Sequence, residues 1–285
     1  MPETRRTLLA ALVATTALAS SAFAQTAPAG GLAASFAKPD QTIEYHFMIA
    51  APGLAEADLD KAYKSAVVDR LAAVAEVGAL EKPKPGIYVD SRAQGLEKAN
   101  LIVRVRRGQI TVKARAAAPD ALLDLAPCSS KKYEMDWFGT PDYSISSDIK
   151  FKDEEFDVKA SAWTPPKLFD FIGAKCPAIA AQLAPKVAAA GAIEIPGTAT
   201  MYGASAKLKH PQGGDIDAGV SVWFFPPTKV SLVELAFTGK VADKARYEKV
   251  YGDTLAELKK AGLLAADQTS KTQQYFAAYF GPRAK

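Results

Sequence analysis

The sequence has 285 residues, 49% of them hydrophobic, and a formal net charge of +4. That length supports one large domain or two small ones with a sizeable core. So mild a charge, with no long basic block, excludes a dedicated nucleic-acid binder.

The chain opens MPETRRTLLAALVATTALASSAFAQ. Arg5 and Arg6 precede a short apolar run, and Ala22-Phe23-Ala24 fits a small-x-small cleavage pattern, so residues 1–24 are expected to be a secretory signal peptide. The run is too short and too rich in Thr and Ser for a membrane anchor. Thr4-Arg5-Arg6-Thr7-Leu8-Leu9 also resembles a twin-arginine signal, which leaves the export route open. The expected location is across the inner membrane, in the periplasm, with no transmembrane segment once the leader is removed. Residues 25–40, rich in Ala, Gly and Pro, predict a flexible lead-in.

Thr42–Ala50 alternates and predicts a strand. Leu54–Leu80 has helical spacing, with Leu59, Ala62, Val67, Leu71 and Val74 near one face, and Pro83 and Pro85 stop it. Extended segments follow at Ile87–Asp90, Leu101–Arg107, Ile110–Arg115, Lys132–Phe138, Tyr143–Lys152 and Glu155–Trp163. An Ala-rich helical insertion is expected near 165–192, entered by Pro165 and Pro166 and bounded by Gly191 and Pro196. Strands resume at Thr198–Lys209, Gly219–Phe225 and Lys229–Phe237. Residues 242–261 predict an amphipathic helix, and a shorter one closes the chain. Many short strands with short links imply antiparallel pairing. The expected fold is α+β: one domain over 41–285, an antiparallel, tunnel-like β-barrel of about 8–10 strands with flanking helices.

Two cysteines, Cys128 and Cys176, are expected to pair as a disulfide in an exported protein. A catalytic thiol has little support, because only His46 and His210 are available as bases. The same two histidines exclude a three-His metal site. Asp153-Glu154-Glu155 and the Gly213-Gly214 region read as turns rather than metal loops.

The stretch RVRRGQITVKAR, residues 104–115, is the most informative. With Gly108-Gln109 as a two-residue turn, Arg107 pairs with Ile110, Arg106 with Thr111 and Arg104 with Lys113. Alternation then puts Arg104, Arg106, Thr111, Lys113 and Arg115 on one face, and Val103, Val105 and Val112 on the other. A cationic sheet face repels itself unless water or an anion screens it. Guanidinium groups offer planar, bidentate donors suited to phosphate oxygens. Lys132-Tyr-Glu134-Met-Asp136 and Glu44-Tyr-His46-Phe-Met48 alternate charge and apolar character in the same way, and Glu234 places a carboxylate in an apolar strand. Such carboxylates could offset the cations or hold a divalent metal that bridges to phosphate.

Residues 87–115, IYVDSRAQGLEKANLIVRVRRGQITVKAR, resemble the CYTH or triphosphate-tunnel family, which includes triphosphatases and class IV adenylyl cyclases. The matching motifs are Tyr88-Val-Asp90-Ser91, Leu96-Glu-Lys-Ala99-Asn100, Arg104-Val-Arg106 and Thr111-Val-Lys113. They are followed by Lys132-x-Glu134-x-Asp136 and a later acidic residue at Glu234. The resemblance implies phosphate binding by Arg104, Arg106, Lys113, Arg115 and Lys132. It also implies Mg²⁺ or Mn²⁺ held by Glu44, Glu134, Asp136 and Glu234. Three departures stand out. The family's opening Glu-x-Glu-x-Lys reads Glu44-x-His46-x-Met48 here, which loses one carboxylate and one cation. Asn100 replaces the usual Gly.

Two functions are carried forward. One is a tunnel protein that binds a small anionic, phosphorylated ligand, with metal-dependent phosphoanhydride hydrolysis as its enzymatic form. The other is a catalytically inactive structural or ligand-binding envelope protein whose interior charges pair with one another. No nucleic-acid partner is expected, and the oligomeric state is left open.

Overall fold

The computed structural model describes residues 31–106, 108–152, 163–209, 216–226 and 230–281. The leader 1–24, residues 25–30 of the lead-in, the expected strand over 155–162 and the turn at Gly213-Gly214 lie outside them. Among the described residues, eleven strands form one sheet: β1 (Thr42–Ile49), β2 (Ala75–Val77), β3 (Lys84–Ser91), β4 (Leu101–Arg106), β5 (Gln109–Ala116), β6 (Ser130–Trp137), β7 (Pro141–Lys150), β8 (Ile193–Glu194), β9 (Ala199–Leu208), β10 (Ile216–Phe225) and β11 (Val230–Lys240). Nine of them close on themselves in the order β9-β10-β11-β1-β6-β7-β5-β4-β3, because β3 pairs back onto β9 through Lys84↔Met201 and Gly86↔Ala199. β2 extends the edge of β9, and β8 extends the edge of β3.

The barrel is mixed rather than purely antiparallel. β1 and β6 run parallel, with Ile43↔Met135 and Glu44↔Asp136 in register, while the other eight seams are antiparallel. The reason is arithmetic. Strand directions that alternate around a ring can close only for an even number, so nine strands require a parallel seam.

Helices flank the barrel. Their elements are α1 (Gly31–Phe36), α2 (Leu59–Tyr63), α3 (Asp69–Leu71), α4 (Gly95–Lys98), α5 (Pro165–Lys175), α6 (Pro177–Ala190), α7 (Lys244–Lys260) and α8 (Lys271–Phe280). Outward residues of β1, Ile43, Tyr45 and Phe47, pack with Leu59, Val67 and Leu71 and with Val250, Tyr251 and Leu258 of α7. On the other flank Val103, Val105, Ile110 and Val112 pack with Leu168 and Ile172 of α5 and Ile179 and Leu183 of α6. Each such buried aliphatic side chain contributes about 1.5–3 kcal/mol. With the apolar faces turned outward to the helices, the alternate residues are left to line the interior.

Four local features depart from the sequence reading. The helix expected to reach Leu80 ends at Leu71, and Ala75–Val77 joins the free edge of β9, where Leu208, Lys207 and Ala206 supply partners. Residues 31–36 of the lead-in form α1, anchored by Phe36, which is buried edge-on against Tyr133 and Tyr143. The β4–β5 register pairs Arg106 with Gln109 and Arg104 with Thr111. Gly108, at φ +69°, therefore takes the second turn position, where a left-handed residue is needed. The offset is two residues, an even number, so the expected face assignment is unchanged. Finally, Cys128 and Cys176 are free thiols and the expected disulfide is not formed. Burial and the adjacent Cys176 thiol push the Cys128 thiol up to about 11, which leaves it protonated and unreactive.

Candidate functional site: a charged barrel lumen

The cationic hairpin points inward. Arg104 and Arg106 from β4, Lys113 and Arg115 from β5, Glu134 and Asp136 from β6, and Glu44 and His46 from β1 line an inner chamber of about 220 Å³. A second chamber of about 530 Å³ adjoins it. Glu44, Arg104, Arg106 and Lys271 belong to both. Lys132 stays at the rim, its side chain 57% exposed and 3.5 Å from Asp148 Oδ2.

One end of the lumen is plugged by α8. Tyr275 and Phe276 are buried among Met48, Tyr88, Ile102, Trp223, Phe225 and Leu232. Ser270 caps the helix in a reciprocal capping box with Gln273. The amide of Gln268 pairs with the backbone of Met48, accepting from Met48 N at 3.1 Å and donating to Met48 O at 2.9 Å. Tyr275 Oη donates to Gly197 O at 2.6 Å. Met48, where the resemblance places a phosphate-binding cation, thus forms part of the apolar seat of the plug.

The buried lumen carboxylates Asp136 and Glu234 are each held by two or more protein cations, while the Glu44 side chain is 40% exposed and lies 3.7 Å from His46 Nε2. Asp136 Oδ2 lies 2.7 Å from Arg115 Nη2 and 3.2 Å from Lys113 Nζ. Lys113 also reaches Glu134 Oε2 at 3.2 Å, and Arg115 Nε lies 3.0 Å from Asp142 Oδ2. Glu234, 3% exposed, holds His46 Nδ1 at 2.7 Å on one oxygen and Lys271 Nζ at 2.6 Å on the other. Ser221 Oγ donates to Glu234 Oε2 at 3.1 Å and in turn accepts from the Trp223 indole. His46 Nε2 faces Asp136 Oδ1 at 3.4 Å and Glu44 Oε2 at 3.7 Å, and its ring stacks on Phe138 at 4.5 Å. Asp148, buried at the far side, accepts from Thr111, Gln109 and Ser130.

These contacts set the protonation states. Burial alone opposes a charge on His46, but Glu234, Asp136 and Glu44 outweigh it and raise the imidazole to about 9, so the ring is a cation at neutral pH. Burial likewise opposes ionisation of Asp136 and Glu234. Lys113, His46 and Arg115 hold the Asp136 carboxyl well below the usual carboxylate range, and Lys271 with His46 does the same for Glu234.

Arg104 and Arg106 differ from the rest. Among the described residues neither has an ion-pair partner. The Arg104 Nε is buried with no hydrogen-bond acceptor, and its guanidinium lies 6.0 Å from the Tyr88 ring. Burial, then the neighbouring Arg104 charge, push the Arg106 guanidinium down to about 10. Of the Lys and Arg side chains that line the inner chamber, Lys113, Arg115 and Lys271 have carboxylate partners, and Arg104 and Arg106 have none among the described residues.

Glu44, His46 and Asp136 bring one donor atom each within 4.8 Å of one another, a spacing that could hold a metal ion. By charge, the set does not fit a phosphate-bridging Mg²⁺ or Mn²⁺. Imidazole stands where a second carboxylate is expected and suits a hard ion poorly. Asp136, Glu134 and Glu234 already have ammonium, guanidinium or imidazolium partners.

Asp90 of the Tyr-x-Asp motif has a structural role. Fully buried, it accepts from the backbone N–H of Ser91, Leu96 and Glu97 at 2.7–2.9 Å and so anchors α4. Asn100 sits at φ +59°, a backbone state that explains why Gly is usual there and why Asn is tolerated. Sequence reading missed Asp142, Asp148 and Lys271. The first two were within reach of it, since Asp142, Ser144, Ser146 and Asp148 recur at every second residue of one strand. Lys271 carries no such signal.

No protein-family model matches the chain, and no curated protein matches it in sequence. Among solved structures, the chain is similar to a Hippeastrum protein assigned as an adenylyl cyclase and described as having a dominant triphosphatase activity. That likeness has 12% identity, a TM-score of 0.43, and covers 81% of this chain and 93% of that one. It is also similar to proteins assigned as adenylate cyclases from Bacillus halodurans and Vibrio parahaemolyticus. Each is 12% identical, with TM-scores of 0.39 and 0.37, covering 83% and 85% of this chain and 98% and 99% of theirs. The closed barrel with a charged lumen is the architecture that the triphosphate-tunnel resemblance implies. What this lumen can do follows from its own charges.

Proposed function

We propose that the protein is an exported tunnel-like barrel that binds a small anionic, phosphorylated ligand in its lumen through Arg104 and Arg106. The absence of an ion-pair partner for these two guanidinium groups among the described residues, beside the paired Lys113, Arg115 and Lys271, carries this reading. Two neighbouring half-buried guanidinium groups with no ion-pair partner among the described residues repel one another and are costly. A phosphate group would relieve that cost and accept charge-assisted, bidentate hydrogen bonds. Lys113 and Arg115, held by Asp136, Glu134 and Asp142, set the shape and background potential of the chamber. Export rests on the N-terminal sequence alone.

Metal-dependent phosphoanhydride hydrolysis has less support, because the carboxylates that would hold the ion are engaged by protein cations. The reading therefore combines an anion site with the self-paired interior of an inactive relative. Thermal unfolding with phosphate, tripolyphosphate and chloride at matched ionic strength tests it. Phosphate or tripolyphosphate should raise Tm over chloride, and Arg104→Gln should abolish most of the rise. No phosphate-dependent shift in the wild-type protein would overturn the proposal.

A further inference from the structure

Lys271 opens α8, the helix that plugs one end of the lumen. Its ammonium group enters the lumen from the plug and lies at the junction of the two chambers with Arg104, Arg106 and Glu44. It lies 2.6 Å from Glu234, and its side chain is 25% exposed, so one side remains open to the cavity. The Trp223 ring lies 6.0 Å away, an added attraction for the cation. The helix that delivers it is held by its capping box, the Gln268–Met48 backbone pairing and the buried Tyr275 and Phe276. Its position is therefore preorganised rather than left to a mobile side chain on the surface.

Charge accounting gives this placement a meaning. β1 lacks a cation at Met48, and His46 replaces a carboxylate at the place where the resemblance puts a metal ligand. The Glu234 carboxylate, also implied as a metal ligand, is bound to Lys271 and His46 instead. A divalent ion in a phosphate site neutralises carboxylates on one side and ligand oxygens on the other. Lys271 already neutralises Glu234 while presenting positive charge to the chamber that Arg104 and Arg106 line.

Building on the anion-binding reading above, we infer that Lys271 takes the electrostatic place of the divalent cation, so that this lumen accepts its polyanion metal-free. The ligand class is accordingly a free phosphate or polyphosphate anion, not its Mg²⁺ complex.

Calorimetric titration with sodium tripolyphosphate tests this in excess EDTA and again in excess Mg²⁺ or Mn²⁺. Wild-type protein should bind at least as tightly in EDTA as with either metal. Lys271→Gln should weaken binding in EDTA about tenfold or more, the loss expected for one charge-assisted contact. Lys271→Arg should retain most of it. Removal of the ammonium leaves Glu234 with His46 and the Ser221 hydroxyl, so circular-dichroism melts accompany the variants. If Lys271→Gln does not fold, the wild-type comparison and Lys271→Arg decide. Binding that needs Mg²⁺ or Mn²⁺, or that either ion tightens about tenfold or more, overturns the metal-free inference and leaves the anion site standing. Folded Lys271→Gln that binds like wild type in EDTA overturns it equally. No tripolyphosphate binding under any condition overturns the anion site itself.

Discussion

Glu44 and Asp136 are register partners across the parallel β1–β6 seam, and both face His46 Nε2, at 3.7 and 3.4 Å. On its other side His46 Nδ1 meets Glu234 at 2.7 Å, on the neighbouring strand β11. A single imidazolium thus joins the carboxylates of three adjacent strands.

That arrangement predicts a specific pH dependence. The His46 pKa is raised on folding from 6.5 to about 9. Its stabilisation is therefore complete below about pH 6.5 and is lost as the pH rises through about 9. The shift corresponds to something on the order of 3 kcal/mol. Between pH 6 and 9 the wild-type Tm should fall more steeply than that of His46→Gln. Parallel Tm profiles over this range would show that the imidazolium network does not contribute.

Arg106 should behave in the opposite way to a stabilising charge. Its guanidinium is held down to about 10, first by burial and then by Arg104, so folding opposes its charge at neutral pH and that cost is relieved only at alkaline pH. Without anion, Arg106→Gln should raise Tm by about 2–3 °C. With tripolyphosphate, wild type should gain more than the variant and close or reverse the gap. A variant less stable than wild type in chloride would contradict an uncompensated guanidinium.

Asp90 should be a folding residue rather than a binding one. Asp90→Ala removes the acceptor for three backbone N–H groups in a site with no exposure. Chemical denaturation should show a loss on the order of 3 kcal/mol. Protein that remains folded should keep its tripolyphosphate affinity; an affinity loss at full stability would move Asp90 into the binding site.

Asn100 offers a backbone test. At φ +59°, Asn100→Gly should be within about 0.5 kcal/mol of wild type, and Asn100→Ala should cost about 1–2 kcal/mol. Equal stability of the two variants by urea denaturation would argue against a left-handed conformation at this position.

Much of the site was legible because sheet alternation is a short-range rule. Arg104, Arg106, Thr111, Lys113 and Arg115 share a face whichever even register the hairpin adopts, so a two-residue error in pairing left the assignment intact. The same rule marks Asp142 and Asp148. It could not show which cations would be paired. Lys113 and Arg115 bind Asp136 from a strand two places away around the barrel, while Arg104 and Arg106, of the same charge and face, have no such partner among the described residues. Alternation on a strand fixes direction, whereas ion pairing depends on which strand lies opposite across a hollow.

By itself, the sequence determined that strands with one apolar and one charged face would build a sheet whose charged side needs company. Hydrophobic periodicity is local, and it dictates which residues leave water. Tertiary structure alone decided that nine strands close, that closure of an odd number forces a parallel seam, and that this seam sets Glu44 beside Asp136. It also decided that a C-terminal helix carries Lys271 to Glu234, a partner 37 residues away in the chain. Those outcomes depend on ring closure and on electrostatics across the lumen, both set by distances in space that spacing along the chain does not encode.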